Sequence, residues 1–328
     1  MTFWKDKSVL VTGGCGFIGS RLVERLVEAG AKVAVVDDVK RGKWENLAAV
    51  RDQIEVVIAD LLNAENCRTA CRGRDIVMHL AAKIRGVGYN VKHHAEMFYS
   101  NALMNLNMME AARLEKCDRF LCISTVGIYP VDCGVPTPES DGFMGEPEMS
   151  GYGYGWSKRM AEVQARCYHL EYGMKVAIVR PYNVYGPRDD FNPETSPVVP
   201  SQIRKILEAK DKVIVWGDGE QTRSFTYVDD EVTGMMLAVE KSPNAEAFNI
   251  AAEEEIKVKD LVKMIIRLSG KNLEVEYDLS KPTGSPRRCA DISKARAVLG
   301  YSPQVSLEEG IRRTMDWYSK KMEKESNI

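Results

Sequence analysis

The chain has 328 residues, 45% of them apolar, and a formal net charge of -2. That length supplies ample material for a buried core, in one large domain or two coupled ones. Acidic and basic residues stay interspersed, which excludes the single-sign footprint of a nucleic-acid binder and leaves a small anionic ligand as the charged partner to expect.

The first residues, Met1 to Lys7, do not read as a signal peptide, since no apolar stretch follows a basic one before the first strand. No apolar run approaches the roughly 20 residues of a membrane helix. The eight cysteines form no CxxC pair and no zinc-like grouping with histidine, so no metal is expected. Cys67 and Cys71, four apart, read as shared helix packing, and free thiols suit a cytoplasmic protein.

In chain order, Ser8–Thr12 is a β-branched run that stops at Gly13-Gly14, and Ile18, Leu22, Leu26 and Val27 then recur at helical spacing until Gly30. Residues 32–36 form a second strand ending on Asp37-Asp38. Ile54–Ile58, 75–80 and 119–124 are the third, fourth and fifth, with helical stretches such as 101–114 between them. Met104, Met108 and Met109 on that helix fit a core or a dimer seam. Strands apolar throughout, alternating with amphipathic helices, predict a doubly wound parallel α/β sheet covered on both faces. Residues 175–180 add a strand that ends at Pro181. Pro187, Pro193, Pro197 and Pro200 then mark a loop opening a smaller region. The expected division is a dinucleotide-binding domain over 1–180, completed by parts of 223–252, and a substrate-binding domain over 181–328. The charged tail after Tyr318 reads as a frayed helix end.

The string from Thr12 to Gly19 sits between a strand and a helix, and that context makes its glycines informative. Gly13 permits the tight turn, Gly16 lets the backbone approach a pyrophosphate, and Gly19 allows close helix–strand packing. The helix start, with Phe17 and Ile18, offers N–H groups to the anion. Asp37 closes the second strand, where a carboxylate accepts hydrogen bonds from an adenosine ribose and repels a 2′-phosphate, favouring NAD over NADP. Lys40 and Arg41 either soften that preference or are solvated loop residues. Asp60, followed by Leu61, either reaches the adenine edge or caps a helix.

Tyr154 and Lys158 are four apart and share one helix face. An ammonium beside a phenol favours the phenolate, lowering its pKa from about 10. Such a tyrosine can take a proton from a hydroxyl as hydride leaves the same carbon. Ser124-Thr125 lie at the end of the fifth strand, where Thr125 can hydrogen-bond the reacting oxygen. Tyr89, His93 and His94 read as a polar loop beside the pocket.

TGGxGFIG, the His79-Leu80-Ala81-Ala82 stretch, Ser124-Thr125 with Tyr129, YxxxK and Arg180–Pro187 together resemble the extended short-chain dehydrogenase/reductases, the NAD-dependent epimerases and dehydratases of nucleotide sugars. The resemblance spans nearly the whole chain, through Gly217–Phe225 to Pro286-Arg287-Arg288. It implies a Thr125/Tyr154/Lys158 triad, with Asn101 supporting the lysine through water and Leu80, Ala81 and Ala82 beside the cofactor. It further implies a substrate contacted by Lys83, Thr125 and Asn183, its diphosphate held by Arg223 and Arg288, whose bidentate guanidinium groups suit a phosphate. A homodimer paired through helices 101–114 and 154–172 as a four-helix bundle follows from the same resemblance.

Several stretches, among them Gly86-Val87-Gly88, Trp216–Phe225 and Lys281–Arg288, look like GDP-mannose 3,5-epimerases and GDP-fucose synthases. The sugar 4,6-dehydratases carry an Asp-Glu pair where this chain has Val126 and Gly127, and decarboxylating relatives also use a glutamate at the second position. The 3,5-epimerases place a cysteine at Gly127 and a histidine or lysine within 188–197, where this chain has neither. What survives is oxidation and reduction at one sugar carbon, C4. The expectation is a C4-epimerase. Its alternatives are a one-way reductase of a 4-keto-6-deoxy sugar, a GDP-sugar 3,5-epimerase with atypical acid/base residues, and a non-catalytic dinucleotide sensor or scaffold.

Overall fold

The computed structural model describes residues 3–84, 87–281 and 284–326. Gly86 and the Pro282-Thr283 pair of the stretches named above lie outside them.

Six strands form where the apolar runs predict them: β1 (Ser8–Thr12), β2 (Lys32–Asp37), β3 (Ile54–Ile58), β4 (Ile76–His79), β5 (Arg119–Ile123) and β6 (Lys175–Pro181). The helices among them are α1 (Phe17–Glu28), α2 (Ala64–Cys71), the single turn α3 (Val87–Asn90), α4 (His94–Leu114) and α5 (Tyr152–Tyr172). Beyond them come β7 (Val184–Tyr185), α6 (Val198–Glu208), β8 (Lys212–Trp216), β9 (Thr222–Ser224), β10 (Thr226–Tyr227), α7 (Val228–Lys241) and β11 (Asn244–Ile250). The last elements are β12 (Glu255–Lys257), α8 (Val258–Ser269), β13 (Glu274–Asp278), β14 (Arg287–Arg288) and α9 (Leu307–Ser326).

The main sheet has the order β11-β6-β5-β4-β1-β2-β3, parallel throughout. Successive residues of its strands enter opposite faces, as the two-residue strand period requires. Val9, Val11, Val33 and Val35 pack in the same core as Leu22 and Leu26 of α1 and Val232 and Met235 of α7. Leu10, Ala34 and Val36 join Met108 and Met109 of α4 and Ala161 and Ala165 of α5 in the other core. Cys67 and Cys71 are buried in that second core, so their spacing serves packing. Among the described residues no His, Cys, Asp and Glu side chains group as a metal site, and no helix is long and apolar enough to cross a membrane.

Four local expectations change. β3 is an edge strand and is not covered on both faces, for Ile58 is 67% exposed. His94 is the first residue of α4 rather than a loop residue, and Tyr89 stacks on His93 at 3.8 Å. Pro200 belongs to the first turn of α6, where a missing N–H costs nothing. The charged tail continues α9 to Ser326.

The buried charge that organises this frame is Arg180, at the carboxyl end of β6. Its Nε and Nη2 donate to the two oxygens of Glu162 on α5 at 2.9 and 2.7 Å, and Nη1 donates to Tyr129 Oη at 2.8 Å and Glu139 O at 2.7 Å. The two side chains are 1% and 0% exposed. Removing one partner of such a pair strands the other charge, which costs about 3–5 kcal/mol. Arg180→Met is expected to lose that much in urea unfolding, whereas Arg180→Met with Glu162→Leu recovers most of it. A single variant as stable as the wild type would contradict this account.

Candidate active site

The strand order reverses at β1, so the carboxyl ends of β1 and β4 flank a crevice, the usual ligand site of such sheets. The glycine loop fills its mouth. Gly13 has a φ of 70°, and a Cβ there would lie 2.9 Å from the Ala81 backbone that follows β4. A Cβ on Gly19 would run into Gly13 O, so α1 can start this close to the loop only with glycine. Gly16 precedes α1 with no side-chain cap, which leaves the first N–H groups, those of Phe17 and Ile18 included, to serve an anion. Leu80 N donates to Thr12 O at 3.2 Å, which sets Leu80, Ala81 and Ala82 along the other lip.

Asp37 is 8% exposed, and its carboxylate binds its own neighbourhood. Oδ2 accepts from Cys15 N at 3.0 Å and Oδ1 from Val39 N at 2.8 Å, tying the glycine loop to the end of β2. Burial raises its carboxyl above the usual range, against the pull of those two N–H groups. Lys40 is paired with Asp38 and Asp60. Asp60 is not the cap of α2: its Oδ1 accepts from Leu62 N at 3.0 Å, while Asn63 accepts from Glu65 N and Asn66 N as the cap. Leu61 is buried beneath.

Lys158 is 2% exposed and donates from Nζ to Ile123 O at 2.8 Å; Nζ stands 5.7 Å from the centre of the Tyr154 ring. The expected lowering of the phenol is not what this environment produces. Burial pushes Tyr154 up to about 12, with Arg41 opposing, and burial pushes Lys158 down to about 8. Removal from water disfavours both charged forms, and at this separation it outweighs the mutual attraction. Thr125 lies at the start of a short turn after β5, its Oγ1 accepting from Gly127 N at 3.1 Å. At Gly127 a Cβ would meet nothing nearer than 3.4 Å, the Thr125 methyl. A Cβ is therefore tolerated there at ordinary contact distance.

Asn101 is committed differently from the implied water relay. Its Oδ1 accepts from Lys83 N at 2.8 Å and its Nδ2 donates to Lys83 O and Met97 O, so it pins the segment after β4. Lys83 Nζ is paired with Glu96, which also accepts from Tyr89 Oη. Asn183 has a φ of 38° and donates from Nδ2 to Ser224 O at 2.9 Å, which sets it beside the strand that carries Arg223. Arg223 and Arg288 are Cα partners on β9 and β14.

Three residues take parts here that the sequence did not assign to them. His79 links Thr12 Oγ1 at 2.8 Å to Asn105 Oδ1 at 3.2 Å, and burial pulls it down to about 3, so it is neutral. Arg41 donates to Ile84 O at 2.8 Å and Asp190 Oδ2 at 3.1 Å, bridging the loop after β2 to those after β4 and β7. Asp189 stands in the stretch that holds no histidine or lysine, its carboxyl pushed up to about 7 chiefly by burial and its Oδ2 without a hydrogen-bond partner.

Known proteins share this arrangement. A model of the NAD dependent epimerase/dehydratase family matches residues 9–251. A dTDP-4-dehydro-6-deoxy-D-allose reductase of a Streptomyces species is 31% identical over 96% of this chain and 97% of its own. The GDP-mannose 3,5-epimerase of Arabidopsis thaliana is 31% identical over 98% of this chain and 85% of its own. The structure of a UDP-glucose 4-epimerase with UDP-glucose from Thermotoga maritima superposes with a TM-score of 0.85 at 33% identity, covering 96% of this chain and 99% of that one.

The ordinary contact distance that a Cβ would find at Gly127 predicts that Gly127→Ala changes unfolding free energy by no more than about 0.5 kcal/mol. Gly19→Ala, by contrast, should displace the loop and abolish NAD binding in a fluorescence titration. Equal tolerance at both positions would refute the steric assignment.

Proposed function

Because the chain belongs to the NAD dependent epimerase/dehydratase family, and is thereby an NAD-dependent enzyme of nucleotide sugars, we propose that it is a nucleotide-sugar C4-epimerase. The observation that carries this reading is the single proton carrier beside the triad's threonine. Tyr154 and Lys158 share one face of α5, and Gly127, where a Cβ would be tolerated, supplies no acid or base. Elimination, decarboxylation and 3,5-epimerisation each need a further group there.

In the proposed reaction Tyr154 takes the proton of the C4 hydroxyl and returns it after the 4-keto sugar turns over. Thr125 hydrogen-bonds the reacting oxygen, and Lys158 balances charge on the phenol oxygen. NAD, when bound, supplies the acceptor and donor of hydride. The residues proposed to hold it are Gly13, Gly16, Phe17, Ile18 and Gly19 at the pyrophosphate, with Asp37, Asp60 and Leu61 on the adenosine side. Leu80, Ala81, Ala82, Asn101, Tyr154 and Lys158 complete that set towards the nicotinamide. Lys83, Asn183, Arg223 and Arg288 are proposed to hold the substrate, the two arginines at its diphosphate.

A second reading draws on the full-length similarity to a 4-dehydro-6-deoxy sugar reductase: the same tyrosine would then donate its proton once. Incubation with UDP-, GDP-, dTDP- and CDP-sugars separates the two. Turnover with trace NAD and an inverted C4 centre is the expected result; stoichiometric consumption of NADH or NADPH would replace the epimerase with the reductase. Tyr154→Phe should lower kcat at least about a hundredfold, and an unchanged rate on every active sugar would remove Tyr154 from the mechanism.

The proposed assembly is a homodimer through α4 and α5. Tyr99 and Leu106 on α4 and Val163 and Leu170 on α5 are exposed at helical spacings, and α4 packs along α5. Such an apolar stripe favours a partner helix pair. Light scattering should give a dimeric mass, with Leu106→Glu and Val163→Glu together shifting it to the monomer; a monomeric wild type overturns the assignment.

A further inference from the structure

Arg223 and Arg288 leave paired parallel strands at the same register, so their side chains point to the same face. Arg287, one residue earlier, points the other way and is held by both oxygens of Glu255. Two guanidinium groups on one half-buried face repel each other, and burial together with Arg288 pulls Arg223 down to about 10. The anion beside them comes from the chain itself. Glu148 Oε2 accepts from Arg288 Nη2 at 2.6 Å, and its Oε1 accepts from Ser150 Oγ at 2.8 Å. Burial works to raise the Glu148 carboxyl, yet Ser150, Arg288 and Arg223 hold it below the usual carboxylate range.

Glu148 is not part of a long helix or a sheet strand. It precedes the turn Met149–Gly151, which runs directly into α5 and Tyr154. Its neighbour Pro147 abuts the catalytic helix, since a Cβ on Gly155 would lie 2.7 Å from Pro147 Cβ and 2.7 Å from Gly127 O. A short, turn-borne carboxylate in this position can leave one arginine for another anion without unfolding an element.

We propose that Glu148 is an internal counter-anion that holds the arginine pair in place of the substrate's diphosphate, and that a nucleotide sugar must displace it from Arg288 in order to bind. The proposal rests on the reading of Arg223 and Arg288 as the diphosphate ligands. Both anions seek the Arg288 guanidinium: Glu148 takes its Nη2, and a phosphate that binds the fork through two nitrogens needs that same donor. A diphosphate brings more charge and more acceptor oxygens than a carboxylate and wins the exchange. Glu148 therefore lowers, by one common factor, the affinity of every ligand that must take the Arg288 guanidinium to bind.

The test is calorimetric titration of NAD-saturated protein with UDP, GDP, dTDP and CDP and with the matching monophosphates. Wild type, Glu148→Gln, Glu148→Asp and Arg288→Ala are compared. Freeing the arginine pair should tighten binding of the preferred diphosphate about tenfold in Glu148→Gln, since the ligand no longer competes for a fractionally available site. Monophosphates that use the same arginine should gain by the same factor. Glu148→Asp, one methylene too short to hold Arg288 as closely, should move in the same direction. Without nucleotide, Glu148→Gln should melt at a lower temperature than wild type, because its arginines lack their anion. A brace with no competing role would instead lower melting temperature and affinity together, and unchanged or weakened diphosphate binding in Glu148→Gln overturns the proposal. Arg288→Ala separates the two ideas. If it binds diphosphates as wild type does, or if wild type binds none of the four, the arginine reading itself falls. If it loses binding while Glu148→Gln gains none, only the role of Glu148 falls.

Discussion

The buried pair of Arg180 and Glu162 sets the geometry on which the site depends. Arg180 ends β6, Glu162 lies two turns beyond Tyr154 on α5, and the bidentate contact between them fixes the rotation of that helix over the sheet. The remaining donor of Arg180 reaches Tyr129 and Glu139, just past the turn that carries Thr125 and Gly127. Tyr129 Oη in turn donates to Asn249 Oδ1 on β11 at 2.6 Å, and Asn249 Nδ2 donates to Thr137 O and Asp291 O. One guanidinium thus ties the catalytic helix, the threonine turn, the last sheet strand and a segment of the C-terminal half. Desolvating such a pair is costly, and an apolar replacement of similar volume would serve stability as well. What an apolar pair would not do is define one helix rotation through fixed hydrogen bonds.

That rotation sets where Tyr154 and Lys158 stand, and the proposed reaction needs them at a set distance from Thr125 and from the crevice between β1 and β4. Burial drives the phenol up and the ammonium down, so neither group gives a charged form cheaply in this environment. A phenol held high and an ammonium held lower leave the proton on Tyr154 in the protein by itself. The residue pattern alone pointed to a lysine that ionises its tyrosine. Burial of the phenol, which the sequence does not display, pushes it the other way in the protein by itself.

The parallel sheet, the glycine loop and the placement of YxxxK were legible in the chain because each rests on local rules. Apolar strands declare themselves by composition, and glycines by backbone conformations and contacts that no other residue tolerates. Side-chain partners across long sequence separations were not legible. Arg180 stood in a recognised motif with no stated role, since its partners lie 18, 41 and 51 residues away. Asn101 offers an amide that suits a water relay equally well, and only the path of the chain after β4 commits it to Lys83. Asp60 and Asn63 are both competent helix caps, and a difference of three positions decided between them. Residue type says which bonds are possible; the fold decides which are made.

The distribution of charge around the crevice then bears on the proposed reaction. An epimerase must hold its substrate while the sugar presents first one face and then the other to the same hydride carrier. That demands strong anchoring far from C4 and weak anchoring at the ring. The arginines proposed for the substrate lie on β9 and β14, whereas the turn after β5 offers the Thr125 hydroxyl and a glycine. A bulky acid or base at position 127 would add a contact next to the reacting carbon and resist the turnover of the keto sugar. Glycine there supplies neither acid nor base, which fits the single-carbon reaction proposed above.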